Sequence, residues 1–157
     1  MISMIASVGR KLEIGKNNQL VWHIPEDMKF FKNTTMGHVV IMGKNTYLSL
    51  PGDLPGRKMI VLSSSKINND VEVINDIEKI LNKYLDSEEE VFIIGGAFVY
   101  QQFINYAHKL YLTEIDDECF DADTFFPSFD KKDWDRKVIS GGTYNGLSFE
   151  MCEYTKK

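Results

Sequence analysis

Apolar residues in this chain occur in short unbroken runs, separated by segments with helical spacing. Such runs are typical of strands that are buried on both faces, as in a mainly parallel sheet. The runs are MISMIASV (1–8), HVVIMG (38–43), KMIVLS (58–63), VEVI (71–74), EVFIIGG (90–96) and KLYLTEI (109–115). We therefore predict a strand at each of them.

Helices are predicted between several of these strands. Pro25 suits the first position of a helix, which should run from Glu26 toward Thr35. Residues 77–85 carry apolar side chains at i, i+3, i+4, i+7 and i+8, and residues 97–106 continue from a Gly-Gly pair with similar spacing. Strands that alternate with helices indicate an α/β fold.

The C-terminal segment, residues 133–157, has a different pattern. Its apolar positions alternate around a loop rich in Gly and Asn, which predicts an antiparallel hairpin at one edge of the sheet. The chain has no internal repeat and no low-complexity linker. We predict a single α/β domain, residues 1–157, with a central, mainly parallel twisted sheet, this C-terminal edge hairpin and about four flanking helices.

One acidic residue lies on the wrong side of the first predicted helix. At about 100° per residue, Asp27 falls on the apolar stripe of Ile24, Met28 and Phe31, whereas Glu26 points away from it. An acid in a first turn can simply offset the helix dipole, but Glu26 already serves that purpose. A carboxylate in apolar surroundings needs donors. We therefore predict that Asp27 binds a partner that supplies N–H groups.

Small and polar residues follow three of the predicted strands, where ligands bind in open α/β sheets. These residues are Gly43, Lys44, Asn45 and Thr46, then Ser63, Ser64 and Ser65, and finally Gly95 and Gly96. Taken singly, each group also fits a tight turn or a surface helix cap. Together they would suit a dinucleotide with an additional phosphate. The G-x-G-x-x-G dinucleotide fingerprint is absent. A complete P-loop is absent too, because His38 occupies the place of its first glycine.

Arg57 follows a double Pro-Gly turn, LPGDLPGRK, and directly precedes a strand. A guanidinium fixed in this way could bind a substrate carboxylate through two parallel hydrogen bonds. The alternative is a solvated arginine on a surface turn.

Charge and composition narrow the classes of function. The formal net charge of −5 argues against a nucleic-acid partner. No apolar window approaches the roughly 18 residues of a membrane span, and the N-terminal run is too short for a signal peptide, so a soluble cytoplasmic protein is expected.

Cys119 and Cys152 lack metal-ligand spacing and are expected to be reduced packing residues. The histidines are scattered, and no metal site is predicted.

Several segments together resemble one family along nearly the whole chain. They are MISMIA, IGKNNQLVWHIPEDMKFFK, VIMGKNTYLSL, LPGRKMIVLS, VFIIGGAFVYQQF, KLYLTEI and DADTFFP. No single motif is decisive, but one combination of residues is highly specific for that family: Trp22, Asp27, Thr46, Arg57, Gly95-Gly96, Thr113 and Asp123-Thr124. The chain resembles the bacterial dihydrofolate reductases. The resemblance implies reduction of 7,8-dihydrofolate by NADPH, with hydride transfer to pterin carbon 6 and protonation at N5.

The resemblance also implies roles for individual residues. Asp27, Trp22 and Leu20 would be catalytic, with Asp27 binding the pterin and Trp22 helping to hold the water that carries the proton. The substrate pocket would contain Ile5, Ala6, Asp27, Met28, Phe31, Leu50, Leu54, Arg57, Ile94, Tyr100 and Thr113. Arg57 would pair with the substrate α-carboxylate, and Thr113 would support Asp27. Antifolate inhibitors are possible further ligands.

By the same resemblance, NADPH would follow the ends of several strands. Its contacts would be Ser7, Ile14, Gly15, Asn18, Gly43, Lys44, Asn45, Thr46, Leu62, Ser63, Ser64, Ser65, Gly95, Gly96, Ala97, Phe98, Val99 and Gln102. Lys44 and Ser64 are the candidates for its 2′-phosphate. The Gly95-Gly96 peptide would be cis, and a flexible segment, residues 9–20, would close over the nicotinamide.

Several positions depart from the family pattern. Val21 replaces a proline, Lys44 an arginine, Ser7 an alanine, and Ala97 and Ala122 glycines that are common there. None of these departures removes a catalytic group. Two alternatives fit the residues less well. A reductase of the same fold that acts on a riboflavin precursor is disfavoured because Trp22, Asp27 and Arg57 match the folate site, and a silent pterin- or nucleotide-binding protein is disfavoured because the acid and both ligand-binding ends are intact. A monomer is expected, because no apolar stripe is left over once the core is assigned.

Overall fold

The computed structural model describes residues 1–67 and 70–157. Its strands are β1 (Ile2–Val8), β2 (Glu13–Lys16), β3 (Gln19–Leu20), β4 (Val39–Gly43), β5 (Lys58–Leu62), β6 (Glu72–Ile74), β7 (Val91–Ile93), β8 (Lys109–Ile115), β9 (Thr124–Phe125), β10 (Trp134–Tyr144) and β11 (Leu147–Lys156). Its α-helices are α1 (Pro25–Thr35), α2 (Lys44–Ser49), α3 (Ile77–Tyr84) and α4 (Ala97–Phe103). Short 3₁₀ turns occur at Ile104–Tyr106 and Lys131–Asp133.

Eight strands form the main sheet, in the order β10-β11-β8-β1-β7-β4-β5-β6. From β8 to β6 all neighbours are parallel, and β11 is antiparallel to both β8 and β10. The predicted α/β fold, its mainly parallel sheet and its C-terminal edge hairpin are therefore confirmed. Asn145 and Gly146 both have positive φ, 49° and 81°, as a two-residue type I′ hairpin turn requires.

A second, small sheet has the order β3-β2-β9 and was not predicted. Its strands β2 and β3 lie within residues 9–20, the segment that the sequence suggested as a flexible loop. Strands of two to four residues are too short to show a reliable period. Strand β2, in the middle of this segment, pairs with β9 in the chain that follows β8.

Side chains of β1 alternate between two core clusters. Ile2, Met4 and Val8 pack in the larger cluster, with residues of α3 and α4. Ile5 packs in the second cluster, against residues of α1 and of the chain after α2. Because side chains two apart share a face of a strand, Ser3 and Ser7 lie on the same face as Ile5.

Helix α1 begins at Pro25 and ends at Thr35, as predicted. Its apolar stripe was predicted partly wrongly, since Met28 is 65% exposed. Phe30 and Phe31 supply the aromatic contacts with the sheet. Met28 directly follows Asp27 and lies about 100° farther around the helix. It therefore lies at the edge of the packed face.

Among residues 1–67 and 70–157, no helix has both the length and the apolar character needed to cross a membrane.

Cys119 and Cys152 are free thiols, as expected. Cys119 lies in the loop after β8, and Cys152 lies within β11.

Candidate active site

Asp27 lies in the first turn of α1 and reaches across to two neighbouring strands of the sheet. Ser7 of β1 and Thr113 of β8 are direct partners in the parallel register. Thr113 Oγ1 donates a hydrogen bond to Asp27 Oδ1 at 2.5 Å, and Ser7 Oγ donates one to Asp27 Oδ2. Each carboxylate oxygen is thus held by a different hydroxyl.

No lysine or arginine of the described chain forms an ion pair with Asp27. The carboxylate is half-buried, so it remains accessible to a ligand. An acid in this position, without a counter-charge from the protein, is suited to bind a ligand that brings its own N–H donors.

Most of the predicted apolar pocket residues belong to one core cluster. Ile5 is buried, and the predicted pocket residues Phe31, Leu50, Leu54 and Ile94 are partly buried around the same cluster. Two other predicted pocket residues do not join them. Met28 is exposed, and Ala6 packs against the opposite cluster because strand β1 alternates its faces.

Tyr100 connects helix α4 to strand β1. Its hydroxyl donates to the carbonyl of Ile5 at 2.7 Å, and its ring packs against Phe126 at 5.0 Å between centroids. Burial, and secondly the negative charge of Asp27, raise the pKa of Tyr100. The phenol therefore stays neutral and acts as a hydrogen-bond donor.

Arg57 is fixed at the start of β5 without an acidic partner in the described part of the chain. Its Nε donates to the carbonyl of Pro55 at 3.1 Å, and Nη1 donates to Thr35 Oγ1 at 3.4 Å. The guanidinium lies 6.0 Å from the ring centroid of Phe31. Burial lowers its pKa. The remaining N–H groups can serve a ligand carboxylate.

The three polar strand ends predicted to bind phosphate lie side by side, because β7, β4 and β5 are neighbours in the sheet. Gly43 N donates to the carbonyl of Gly95 at 2.9 Å, which joins two of these ends. A Cβ on Gly43 would lie 3.0 Å from Val99 Cγ2, so the backbone is closely packed there. The Gly95-Gly96 peptide is cis, as the resemblance implied.

Lys44 supplies the cation at this edge. Its Nζ donates to Ser65 Oγ at 3.1 Å, and Ser63 Oγ donates to the carbonyl of Ser65 at 3.0 Å. Ser64, the other candidate for the 2′-phosphate, is exposed and directly precedes Ser65 in the chain. No acidic residue of the described chain forms an ion pair with Lys44. A lysine beside serine hydroxyls fits the chemistry of a phosphate ligand.

The other predicted cofactor residues lie around this edge or on β2. Phe98 on α4 is 74% exposed, and Gln102 follows one turn later on the same helix. Ile14 and Gly15 are buried in β2, whereas Asn18 is exposed and has a φ of 61°.

Trp22 and Leu20 were predicted to be catalytic. The Trp22 indole N–H donates to Asp117 Oδ2 at 3.0 Å and holds the pKa of Asp117 below its usual range. This indole donor is therefore directed toward the chain after β8 and not toward Asp27. Leu20 is 60% exposed on β3.

Sequence reasoning missed Glu13, which is 1% exposed. Its carboxylate accepts hydrogen bonds from the backbone N–H groups of Lys11 and Cys119, both at 2.7 Å. Burial alone would raise the pKa of Glu13, but the backbone donors outweigh it and the net pKa is lowered. Nothing in the local sequence distinguishes this acid from a surface residue of a loop.

A cavity of about 470 Å³ lies beside β8 and β11. Leu12, Leu112, Phe129 and Lys131 are among the residues that line it. None of the predicted site residues does so, and the cavity is not part of the candidate site.

The fold and the site define a class of α/β protein, in which polar strand ends suited to phosphate lie on the same sheet that supports a half-buried carboxylate without a counter-charge. Comparison with known proteins narrows this class. The family model for dihydrofolate reductase matches residues 1–156.

Individual relatives agree with the family model. The chain is 38% identical to dihydrofolate reductase of Bacillus subtilis (strain 168), covering 100% of this chain and 95% of that protein. It is 40% identical to the enzyme of Staphylococcus haemolyticus, covering 90% and 85%. Dihydrofolate reductase from Enterococcus faecalis, complexed with NADP(H) and RAB-propyl, superposes with a TM-score of 0.88 at 31% identity, covering 99% of this chain and 96% of that one. The chain belongs to the dihydrofolate reductase family.

Proposed function

We propose that this protein reduces 7,8-dihydrofolate to 5,6,7,8-tetrahydrofolate with NADPH, by hydride transfer to pterin carbon 6 and protonation at N5. The observation that carries the proposal is the half-buried Asp27 carboxylate, which two hydroxyls hold without a counter-charge from the described chain. Family membership supports the reaction and the cofactor.

Asp27 binds the pterin ring in this mechanism. The 2-amino group and the adjacent ring nitrogen donate to its oxygens, so the substrate supplies the missing donors. The negative charge then favours protonation of the ring at the moment when positive charge develops on it. Asp27 does not deliver the proton to N5 directly, and an ordered water carries it.

The other residues orient the two ligands. Ile5, Phe31, Leu50, Leu54 and Ile94 hold the pterin and benzoyl rings, and the free N–H groups of Arg57 bind the substrate α-carboxylate. Tyr100, whose neutral hydroxyl donates to the carbonyl of Ile5, would lie beside the nicotinamide.

The edge formed by residues 43–46, 63–65 and 95–99 would hold the cofactor. Lys44 and its serine neighbours would bind the 2′-phosphate, and the start of α4 would lie against the pyrophosphate. When bound, NADPH supplies the hydride. Residues 9–20 close over the site and exclude water. We further infer a single-domain monomer that works in the cytoplasm and that antifolate compounds can inhibit.

The test is the loss of reduced-nicotinamide absorbance when dihydrofolate is added. The parent protein should turn over, and Asp27→Asn should be slower by about 100- to 1000-fold near neutral pH, because charge stabilisation at the ring is lost. Acid should restore part of the rate, since more substrate is then protonated beforehand.

Glu26→Gln is the matched control, because Glu26 is the neighbouring acid of the same helical turn and is exposed. It should retain the parent rate. Absence of turnover in the parent would favour a silent binding protein, and full activity of Asp27→Asn would exclude the proposed role of the carboxylate.

A further inference from the structure

Ser7 and Thr113 hold the Asp27 carboxylate from two neighbouring strands. They face each other across the β1–β8 pair, and each hydroxyl donates to a different oxygen of Asp27. The resemblance placed Ser7 along the cofactor, at a position where alanine is frequent. In the structure its hydroxyl is directed at Asp27.

We propose that Ser7 is a positioning residue that orients the Asp27 carboxylate for the substrate, an inference that rests on the proposed function. The terminal torsion of an aspartate is broad, and a single hydrogen bond to one oxygen does not fix the plane of the carboxylate. Two donors on two different oxygens fix both its rotation and its position.

The number of acceptor sites supports this role. An ionised carboxylate offers about four lone-pair directions. The two hydroxyls occupy one direction on each oxygen. One direction therefore remains free on each oxygen, which matches the two adjacent N–H donors of the pterin. Ser7 thus directs the free lone pairs toward the substrate without itself touching the reacting atoms.

The first experiment measures hydride transfer in a single turnover at saturating NADPH and dihydrofolate. Ser7→Ala should slow this step by about tenfold, the effect of losing one charge-assisted hydrogen bond in the aligned state. Its KM for NADPH should stay at the parent value. Ser7→Thr keeps a hydroxyl and should recover most of the rate, whereas Ser7→Cys, with a weaker S–H donor, should resemble Ser7→Ala.

Ser3→Ala is the matched control. Ser3 lies on the same face of β1, is buried, and donates to Glu90 Oε2 at 2.6 Å, away from Asp27. The exchange removes the same kind of hydroxyl-to-carboxylate bond and should leave hydride transfer unchanged. Thermal unfolding of each variant identifies any that fails to fold, in which case Ser7→Cys replaces Ser7→Ala.

The second experiment repeats Ser7→Ala in an Asp27→Ala background. If Ser7 acts through Asp27, the second substitution should change the rate by less than about twofold, because residues that act as a unit are not additive. An equal tenfold loss in both backgrounds would overturn the proposal.

The outcomes separate this inference from the proposed function. An inactive parent protein would refute the reductase assignment itself. An active parent with an equally active Ser7→Ala would overturn the role of Ser7 and leave the reductase assignment intact. A raised KM for NADPH with unchanged hydride transfer would show that Ser7 serves the cofactor, which also contradicts the proposal.

Discussion

Asp27 and Arg57 are opposite charges of the proposed substrate site, and neither forms an ion pair with another residue of the described chain. In most folded proteins such partly buried charges are paired, because desolvation costs several kcal/mol per ion. Here hydroxyl and carbonyl groups hold both side chains in place. In the proposed mechanism the substrate completes the charge pairing, so its affinity should depend on both residues in different ways.

Arg57→Lys tests this dependence. A lysine keeps the charge but loses the planar fork that binds a carboxylate through two hydrogen bonds. We expect the KM for dihydrofolate to rise about tenfold and kcat to stay within about twofold, measured by steady-state kinetics.

A reduced pterin without the glutamate tail is the control substrate for Arg57. Parent and Arg57→Lys should have the same KM for it, since it has no carboxylate to lose. A difference of similar size with both substrates would show that Arg57 acts through the packing of the pocket instead.

At the scale of elements, the segment between β1 and β3 is attached to the chain after β8 by several contacts. Arg10 N donates to the carbonyl of Asp117 at 3.0 Å, and Asn17 N donates to Asp123 Oδ2 at 2.9 Å. Buried Glu13 adds its own bonds to the backbone of Lys11 and Cys119. The segment predicted to close over the site is therefore held against the chain after β8 at Arg10, Glu13 and Asn17 in this structure.

Glu13→Gln should lower the free energy of unfolding by about 1–3 kcal/mol at pH 7, because bonds to the charged acceptor are lost. Since the pKa of Glu13 is lowered in the folded state, its contribution is complete above the unfolded-state value near 4.3 and is lost as the pH falls through the folded-state value. Urea unfolding at several pH values should show the gap between parent and variant shrinking in acid.

Asp121→Asn provides the comparison for Glu13. It removes an exposed ion pair with Lys16 from the same region and should cause no measurable loss of stability. A gap between parent and Glu13→Gln that widened in acid would contradict the role assigned to the buried carboxylate.

At the scale of the whole molecule, Cys152 reports on the integrity of the sheet. It is fully buried in β11, between β8 and β10. Burial, and secondly the charge of Glu114, raise the pKa of its thiol to about 11. A thiol reagent can therefore reach Cys152 only when the sheet opens.

A Cys119→Ser variant isolates this signal. We expect Cys152 to react at least about 1000-fold more slowly in the folded protein than in urea, as global opening requires. NADPH at about 100 times its Kd should slow the reaction by about a further 100-fold, because it binds only the folded state. An unchanged rate with NADPH would indicate that β11 opens locally.

Much of the fold could be predicted from the sequence because burial imposes a period on each element. The strands of the parallel sheet and the start of α1 at Pro25 depend on local patterns, and the structure confirms them. The turn at Asn145-Gly146 likewise follows from the residues that tolerate positive φ. The polar strand ends were predictable because parallel strands end at one edge of a sheet.

The sequence by itself determined which segments become strands and helices and that Asp27 is an acid on an apolar side. Only the tertiary structure decided what meets that acid. Ser7 and Thr113 are more than 100 residues apart in sequence, and they become neighbours because β1 pairs with β8. The buried position of Glu13 and the exposure of Met28 were settled in the same way. Local periodicity reports which face of an element is buried, whereas the partner of a side chain depends on contacts between distant segments.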